Sequence, residues 1–327
     1  MSTIRNAAAA AGALALTLGL AACGNSAGAS SDGTTPATTS PATSGSPASG
    51  GPVTAAQICP SGSLNFGIEP YDDAAKLTAA YQKVADALGQ KLGCTVNLDI
   101  TSSYVAEIVA MENGKLDIGE FGPLGFVFAN RQAGANALVS FADKDGKVSS
   151  YTAGIWVAKG SPIKTVKDLA GHTLALSESG STSGDAVPRK ELIDAGVDKQ
   201  VNTQYAGGHP EAMEALINGK VDAAEINSQT EASAEAAGQF DPSGYTEIWK
   251  STPILNDPIA VSPNMSPQVA DAIKNALINL PSADLKQIGS LLDFTAPASK
   301  PLVPVTNEDY KPLFDLADTL KLTDKDL

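Results

Sequence analysis

An α/β protein of two lobes, with mixed but mostly parallel sheets and a cleft between the lobes, is the fold class this sequence predicts. Three observations lead there. From residue 64 onward, short apolar runs alternate with segments whose apolar residues recur at helical spacing, the pattern of strands and covering helices. The stretch beyond residue 53, about 275 residues, is long enough for two units of ordinary domain size. Finally, the apolar segment 151–158 and the shorter run 259–261 each suit a crossing from one unit to the other. Two such crossings divide the chain into lobe 1 (54–153 plus 255–327) and lobe 2 (154–254). Ligands commonly occupy the cleft that this arrangement leaves.

The first 23 residues read as an export signal. Arg5 supplies the positive start, residues 7–22 are apolar apart from Thr17, and Leu20-Ala21-Ala22-Cys23 ends in small residues and a cysteine. That ending resembles a lipobox, in which Cys23 becomes a lipidated N-terminus. A plain signal peptide or a membrane anchor is the alternative, although the apolar run is short for a span. Residues 24–53 are almost wholly Gly, Ala, Ser, Thr and Pro, with Asp32 their one charge, so they cannot bury a core. They form a tether with a root-mean-square reach of roughly 30 Å. The expected location is the outer face of the cytoplasmic membrane, held there by lipid alone.

The chain carries a net charge of −14, which becomes −15 once Arg5 leaves with the signal. Such acidity argues against nucleic acid and anionic lipid surfaces as partners. It also means that an anionic ligand has to be held by local dipoles and hydroxyls.

Along lobe 1 the expected elements are a strand at 64–68, a helix at 72–92 stopped by Gly93, a strand at 94–100, and a helix at 103–113 closed by Gly114. The stretch 116–118 leads to a helix that can begin at 120–123, followed by a strand at 137–141 and a turn at 143–147. Asp72 and Asp73 sit where acids favour a helix dipole. Cys59 and Cys94 each stand just ahead of an expected strand. If those strands are parallel neighbours, their starts share one end of the sheet, and an exported compartment permits the expected Cys59–Cys94 disulfide, with two buried free thiols as the alternative. Two cysteines with no histidine nearby make a poor metal site, and no cofactor is expected.

Lobe 2 repeats the theme, with strands at 173–176, 201–205, 221–224 and 245–249 and a helix at 210–218. Helices at 266–279, 282–292 and 307–320 close the chain. Trp156 and Trp249 fall in apolar runs and read as core. His172 enters a strand without clustered partners and reads as a surface position. Glu191 and Asp194 belong to a solvated helix face.

The most informative stretch is Ser177-Glu178-Ser179-Gly180-Ser181-Thr182-Ser183-Gly184-Asp185, between a strand and a helix start. Helix-start amides are unpaired and carry partial positive charge, glycines let an anion approach, and hydroxyls can donate to it. This is a socket for a small tetrahedral oxyanion, or an ordinary Ser/Thr helix cap without a ligand. It is not a P-loop, since Asp185 stands where lysine should follow Gly184. Nor is it a nucleophile elbow, since Thr182 occupies the central position.

Several stretches, in order, resemble the substrate-binding proteins of ABC importers for phosphonate, phosphite and phosphate. They are Phe66-Gly67-Ile68, the segment 104–129 with Phe121-Gly122-Pro123, Ser181-Thr182-Ser183-Gly184, Gly208-His209, Val221-Asp222-Ala223, and Asp257-Pro258-Ile259. The resemblance covers 64–280 and implies a two-lobed periplasmic-binding-protein fold of the type II kind. It implies that Ser181, Thr182 and Ser183 grip the phosphorus-bound oxygens, with Tyr104, Tyr151, His209 and Asp257 as further contacts. Phenols and imidazole can donate to an oxyanion, whereas a carboxylate only accepts. Asp257 therefore selects a protonated ligand oxygen or a ligand ammonium and repels a dianion such as sulfate. Packing or capping roles are the alternatives for Tyr104, Tyr151, His209 and Asp257.

Secondary candidates for the cleft are Glu69 and Tyr71 at the end of the first strand, Glu120 and Phe121, and Glu225 and Asn227. For Glu120 and Glu225 the alternative is a solvated loop glutamate. The residues 225–229, read as a loop, depart from the family members that bind aminoethylphosphonate, which leaves the organic part of the ligand open. The expected partners are a phosphorus oxyanion, an ABC permease and its ATPase, and the protein is expected to act as a monomer without catalysis. Two rivals stand beside this: a ligand-sensing subunit on the same scaffold, and a hydrolase using Ser181 or Ser183 with His209 as base.

Overall fold

The computed structural model describes residues 53–295 and 300–323. The expected signal, Cys23 and the tether up to residue 52 lie outside the described residues. No helix among the described residues is long and apolar enough to cross a membrane.

A short helix, α1 (Ala55–Ile58), starts under a Thr54–Gln57 capping box. Strand β1 (Ser63–Ile68) buries Leu64, Phe66 and Ile68. Asp73 caps α2 (Ala74–Leu92) by accepting the Ala75 and Lys76 amide protons, and Gly93 ends it at φ 74°. The stripe Leu77, Tyr81, Val84 and Leu88 on α2 packs into the same core as β1. Strand β2 (Thr95–Ile100) runs parallel to β1 with Thr95 opposite Ser63. Cys59 and Cys94, each ahead of one of these strands, are therefore brought to one end of the sheet and are bonded to each other, Cα to Cα 6.4 Å.

Ser103 caps α3 (Tyr104–Glu112), and β3 (Ile118–Glu120) leads through Gly122 into α4 (Pro123–Phe128), which continues as a π-helical turn over Ala129–Ala133. Strands β4 (Asn136–Phe141), β5 (Ser150–Tyr151) and β6 (Gly154–Ala158) follow. After β7 (Thr173–Leu176) comes a π-helical turn over Thr182–Ala186 that runs directly into α5 (Val187–Ala195). Next are β8 (Asn202–Tyr205), α6 (His209–Ile217), β9 (Ala223–Glu225), α7 (Ser228–Ala236), β10 (Tyr245–Lys250), β11 (Ile254–Leu255) and β12 (Pro258–Val261). Helices α8 (Pro267–Ile278) and α9 (Ser282–Leu291), strand β13 (Leu302–Pro304) and helix α10 (Lys311–Leu320) complete the described chain.

The strands form a six-stranded sheet in the order β13-β4-β12-β3-β1-β2, a five-stranded sheet in the order β10-β6-β9-β7-β8, and a two-stranded ribbon of β11 with β5. Parallel pairing is confined to β2-β1-β3 and β8-β7-β9, the strands joined through helices. Antiparallel pairing is more extensive than the helix–strand alternation implied. Strand β6 enters the second sheet from the first, and β12 returns; both pair antiparallel to their neighbours. The result is two α/β lobes joined at β5-β6 and β11-β12.

Some local expectations change. Residues 225–229 are not a loop: Glu225 ends β9, and Asn227 caps α7 by accepting the Gln229 and Thr230 amide protons. Glu120 and Glu225 are not solvated, because each lies on a strand buried on both faces and is wholly inaccessible. Trp156 is core, whereas Trp249 is only half-buried at the rim of the second sheet.

Candidate ligand-binding site

The site grows from the carboxyl end of β7. Ser177 donates its amide proton to the Gly184 carbonyl at 3.0 Å, which folds the hydroxyl stretch back over the strand end. Ser181, in extended conformation, caps the π-helical turn by accepting the Gly184 amide proton at 3.1 Å. Gly184 is required by space: a Cβ there would stand 1.7 Å from Ser177 Oγ and 2.8 Å from His209 Cε1. Behind the turn, the buried Asp185 carboxylate accepts from the Tyr205 hydroxyl at 2.7 Å, from Arg189 Nη1 at 3.2 Å and from the Gly180 amide at 3.3 Å. The residue that excludes a P-loop is the one that braces this turn.

His209 is the first residue of α6. Its Nε2 lies 3.2 Å from Ser181 Oγ and its Nδ1 lies 2.9 Å from Glu225 Oε2. Burial disfavours the imidazolium, but the Glu225 carboxylate and its hydrogen bond outweigh that and hold His209 above its ordinary value. Burial raises Glu225 in turn, while His209 pulls it down. Asn227 Nδ2 stands 3.2 Å from Ser183 Oγ and 3.2 Å from His209 Nδ1, so Asn227 fixes the hydroxyl as well as capping α7.

The lobe of the six-stranded sheet, with the β5–β11 ribbon, supplies the opposite wall. Glu69 follows β1, Tyr104 opens α3, Tyr151 lies on β5 and Asp257 immediately precedes β12; all four are buried. Burial pushes Asp257 up to about 7, with Glu120 and His209 pulling the other way. Burial, reinforced by their mutual negative charge, lifts Glu69, Glu107 and Glu120 well above the usual carboxylate range.

One cavity brings these walls together. Tyr104, Tyr151, Ser181, Thr182, Ser183, His209 and Asp257 all line it, as do Glu69, Tyr71 and Asn227. Glu120, Phe121 and Glu225 do not. Phe121 packs into the apolar cluster with Leu124, Phe126 and Ile108, and Glu120 and Glu225 sit one layer behind, Glu225 against His209. Gln229 and Thr230 line the cavity from the first turn of α7, which the loop reading of 225–229 hid, and Asp72, read only as a helix-dipole acid, lines it too.

The two lobes are closed on each other by side chains. Thr182 Oγ1 accepts the Leu124 amide proton at 2.8 Å, Glu178 Oε1 accepts that of Tyr104 at 3.1 Å, and Gln229 Nε2 donates to the Leu292 carbonyl at 2.9 Å and to Asn256 Oδ1 at 3.1 Å. Thr182 and Glu178 thus each reach an otherwise unpaired amide in the first turn of a helix, α4 or α3.

Residues 66–310 match the family model described as ABC transporter, phosphonate, periplasmic substrate-binding protein. This chain belongs to that family. Among curated relatives, the phosphate-import protein PhnD of Mycolicibacterium smegmatis is 26% identical over 260 residues, 74% of this chain and 80% of the relative. The phosphonates-binding periplasmic protein of Escherichia coli is 28% identical over 257 residues, 74% of this chain and 75% of the relative. PhnD1 of Prochlorococcus marinus, solved in complex with methylphosphonate, superposes with a TM-score of 0.70 at 19% identity, covering 80% of this chain and 98% of that one, which establishes the shared fold.

The family is one of exported substrate-binding components of ABC transporters, and the two relatives named above are an import protein and a binding protein. Ser181, His209 and Glu225 nonetheless stand in a line that a hydrolase would use. The difference is at Ser181, whose hydroxyl oxygen is engaged as the helix cap of its own turn.

Proposed function

We propose that this binding protein captures a small phosphorus oxyanion (phosphonate, phosphite or phosphate) in the cavity between its lobes and delivers it to a membrane permease. The observation that carries this reading is the convergence of Ser181, Thr182, Ser183, His209, Tyr104, Tyr151 and Asp257 on one buried cavity. Hydroxyls, phenols and an imidazolium donate to the oxygens, and the closing bonds of Thr182 and Glu178 couple capture to lobe closure. The lobes divide at 153/154 and 254/255, where β5-β6 and β11-β12 carry the chain across. The mature chain is a monomer tethered through lipid on Cys23 and a linker to residue 53.

Calorimetric titration of phosphate, phosphite, methylphosphonate, aminoethylphosphonate and sulfate into the mature protein tests the ligand class. At least one phosphorus oxyanion binds, and sulfate binds worst; the reverse order, or no phosphorus ligand at all, would overturn the reading. A serine-directed covalent probe should leave the intact mass unchanged. Replacing Cys23 with alanine should release the protein from the membrane fraction.

A further inference from the structure

Successive side chains at the start of α7 tie separate parts of the molecule together. Asn227 holds Ser183 Oγ and His209 Nδ1, each at 3.2 Å. Ser228 and Thr152 exchange bonds. The Ser228 amide donates to the Thr152 carbonyl at 3.0 Å, and the Thr152 amide donates to Ser228 Oγ at 3.1 Å. Thr152 lies between β5 and β6, where the chain crosses from one lobe to the other. Gln229, 7% exposed, reaches into the lobe of the six-stranded sheet. Its Nε2 donates there to the Leu292 carbonyl at 2.9 Å and to Asn256 Oδ1 at 3.1 Å.

The surroundings fix which way this amide points. A main-chain carbonyl only accepts, so the nitrogen of Gln229 has to face Leu292. Asn256 is oriented independently: its Oδ1 accepts the Asp257 amide proton at 3.2 Å, and its Nδ2 donates to Ser149 Oγ at 3.0 Å. Asn256 is wholly buried, and its carbonyl accepts from Ser140 Oγ at 3.1 Å and from the Tyr310 hydroxyl at 2.8 Å. Gln229 therefore meets a firmly held partner. Leu292 ends α9, and a helix leaves its last carbonyls without intrahelical partners. Gln229 thus does at the end of α9 what Glu178 and Thr182 do in the first turns of α3 and α4.

Gln229 also lines the cavity. Both of its N–H bonds are spent on the other lobe, and its oxygen can only accept, so it has no donor left for an oxyanion. Its position serves the lobes instead. We propose that Gln229 is a positioning residue that holds the lobes closed over captured ligand, setting how long the ligand stays rather than how fast it enters. The inference rests on the oxyanion-capture reading above. Ser228 stays with the crossing segment, whereas Gln229 spans the gap between the lobes, so its bonds belong to the closed form. Asn227, two residues earlier, grips Ser183 of the hydroxyl turn. An oxyanion that orders this turn thereby also fixes the start of α7 and the direction of Gln229.

The test is stopped-flow kinetics on the mature protein, using whichever of phosphate, phosphite, methylphosphonate and aminoethylphosphonate binds it tightest. Gln229→Met keeps the length of the side chain and removes both donors, while Gln229→Glu keeps its shape and sets oxygen against oxygen. Each should speed dissociation about 10- to 100-fold, the effect of leaving buried acceptors unpaired. Association should stay within about threefold of the wild type. Small-angle scattering at saturating ligand should show a wider molecule, and the ligand-free melting temperature should barely move. In the wild type, the Gln229 side-chain amide protons should exchange slowly with ligand bound and freely without it, as followed by NMR. That measurement stands even if both variants fail to fold. Unchanged dissociation, a loss carried by association, or exchange indifferent to ligand overturns this inference alone. If none of the phosphorus oxyanions binds the wild type, the oxyanion reading falls and this inference with it.

Discussion

Thr182 Oγ1, at the turn that caps the five-stranded lobe's ligand wall, accepts the Leu124 amide proton of the other lobe at 2.8 Å. One hydroxyl therefore lines the cavity and bolts the lobes together. Thr182→Val removes the acceptor and leaves the Leu124 amide unpaired in the closed form. Such a loss costs about 1–3 kcal/mol, so affinity for the best phosphorus oxyanion should fall roughly 10- to 100-fold while the ligand-free melting temperature barely moves. Adding Ser183→Ala should abolish measurable binding. Unchanged affinity in the double variant would place the ligand elsewhere.

The His209–Glu225 pair gives a pH signature. A histidine held above its ordinary 6.5 contributes stability that is fully present below that value and lost as pH rises through its folded value. Glu225→Gln removes the carboxylate that holds it there. The His209 ring should then titrate at lower pH in a proton NMR titration. Oxyanion affinity at neutral pH should drop about tenfold, or roughly 1.4 kcal/mol, since the cavity loses its one imidazolium. A His209 titration indifferent to this substitution would disprove the coupling.

Gly184 tests the packing of the hydroxyl turn. Gly184→Ala drives a methyl into Ser177 Oγ and His209 Cε1, and overpacking of this kind costs about 1–3 kcal/mol. We expect a lower melting temperature and loss of ligand binding together, because the displaced groups hold or form the site. Gly196, whose added Cβ meets nothing within 4 Å, provides a contrast: alanine there strains the backbone at φ 75° and should lower stability while leaving affinity intact.

The Cys59–Cys94 bond closes a sequence separation of 35 residues far from the cavity. Replacing both cysteines with alanine should cost about 2–4 kcal/mol, a fall of roughly 5–10 °C in melting temperature, with ligand affinity unaltered. Equal stability of the variant and the oxidised parent would show that the bond does not constrain the unfolded chain.

The sequence by itself determined much of this protein, because much of it is local. Strand–turn–helix order around Ser181, the caps at Asp73 and Ser103, and the αL stop at Gly93 each depend on a few neighbouring residues, and each was legible from them. The hydroxyl turn, the disulfide partners and the ordered family stretches were equally visible. What only the tertiary structure decided are relations between distant elements. Asn227 read as a loop residue until α7 was seen to start on its side chain, and Glu120 and Glu225 read as solvated until both their strands proved to be covered on each face. Glu107 gave a faint trace, an acid sharing the buried face of α3 with Tyr104, Ile108 and Met111. Glu178 stood in plain view beside Ser177, yet its use depends on Tyr104, 74 residues away. The physical reason is range: propensity, capping and turn chemistry act over a few residues, whereas burial of a charge and a bond across a cleft exist only once two lobes have met.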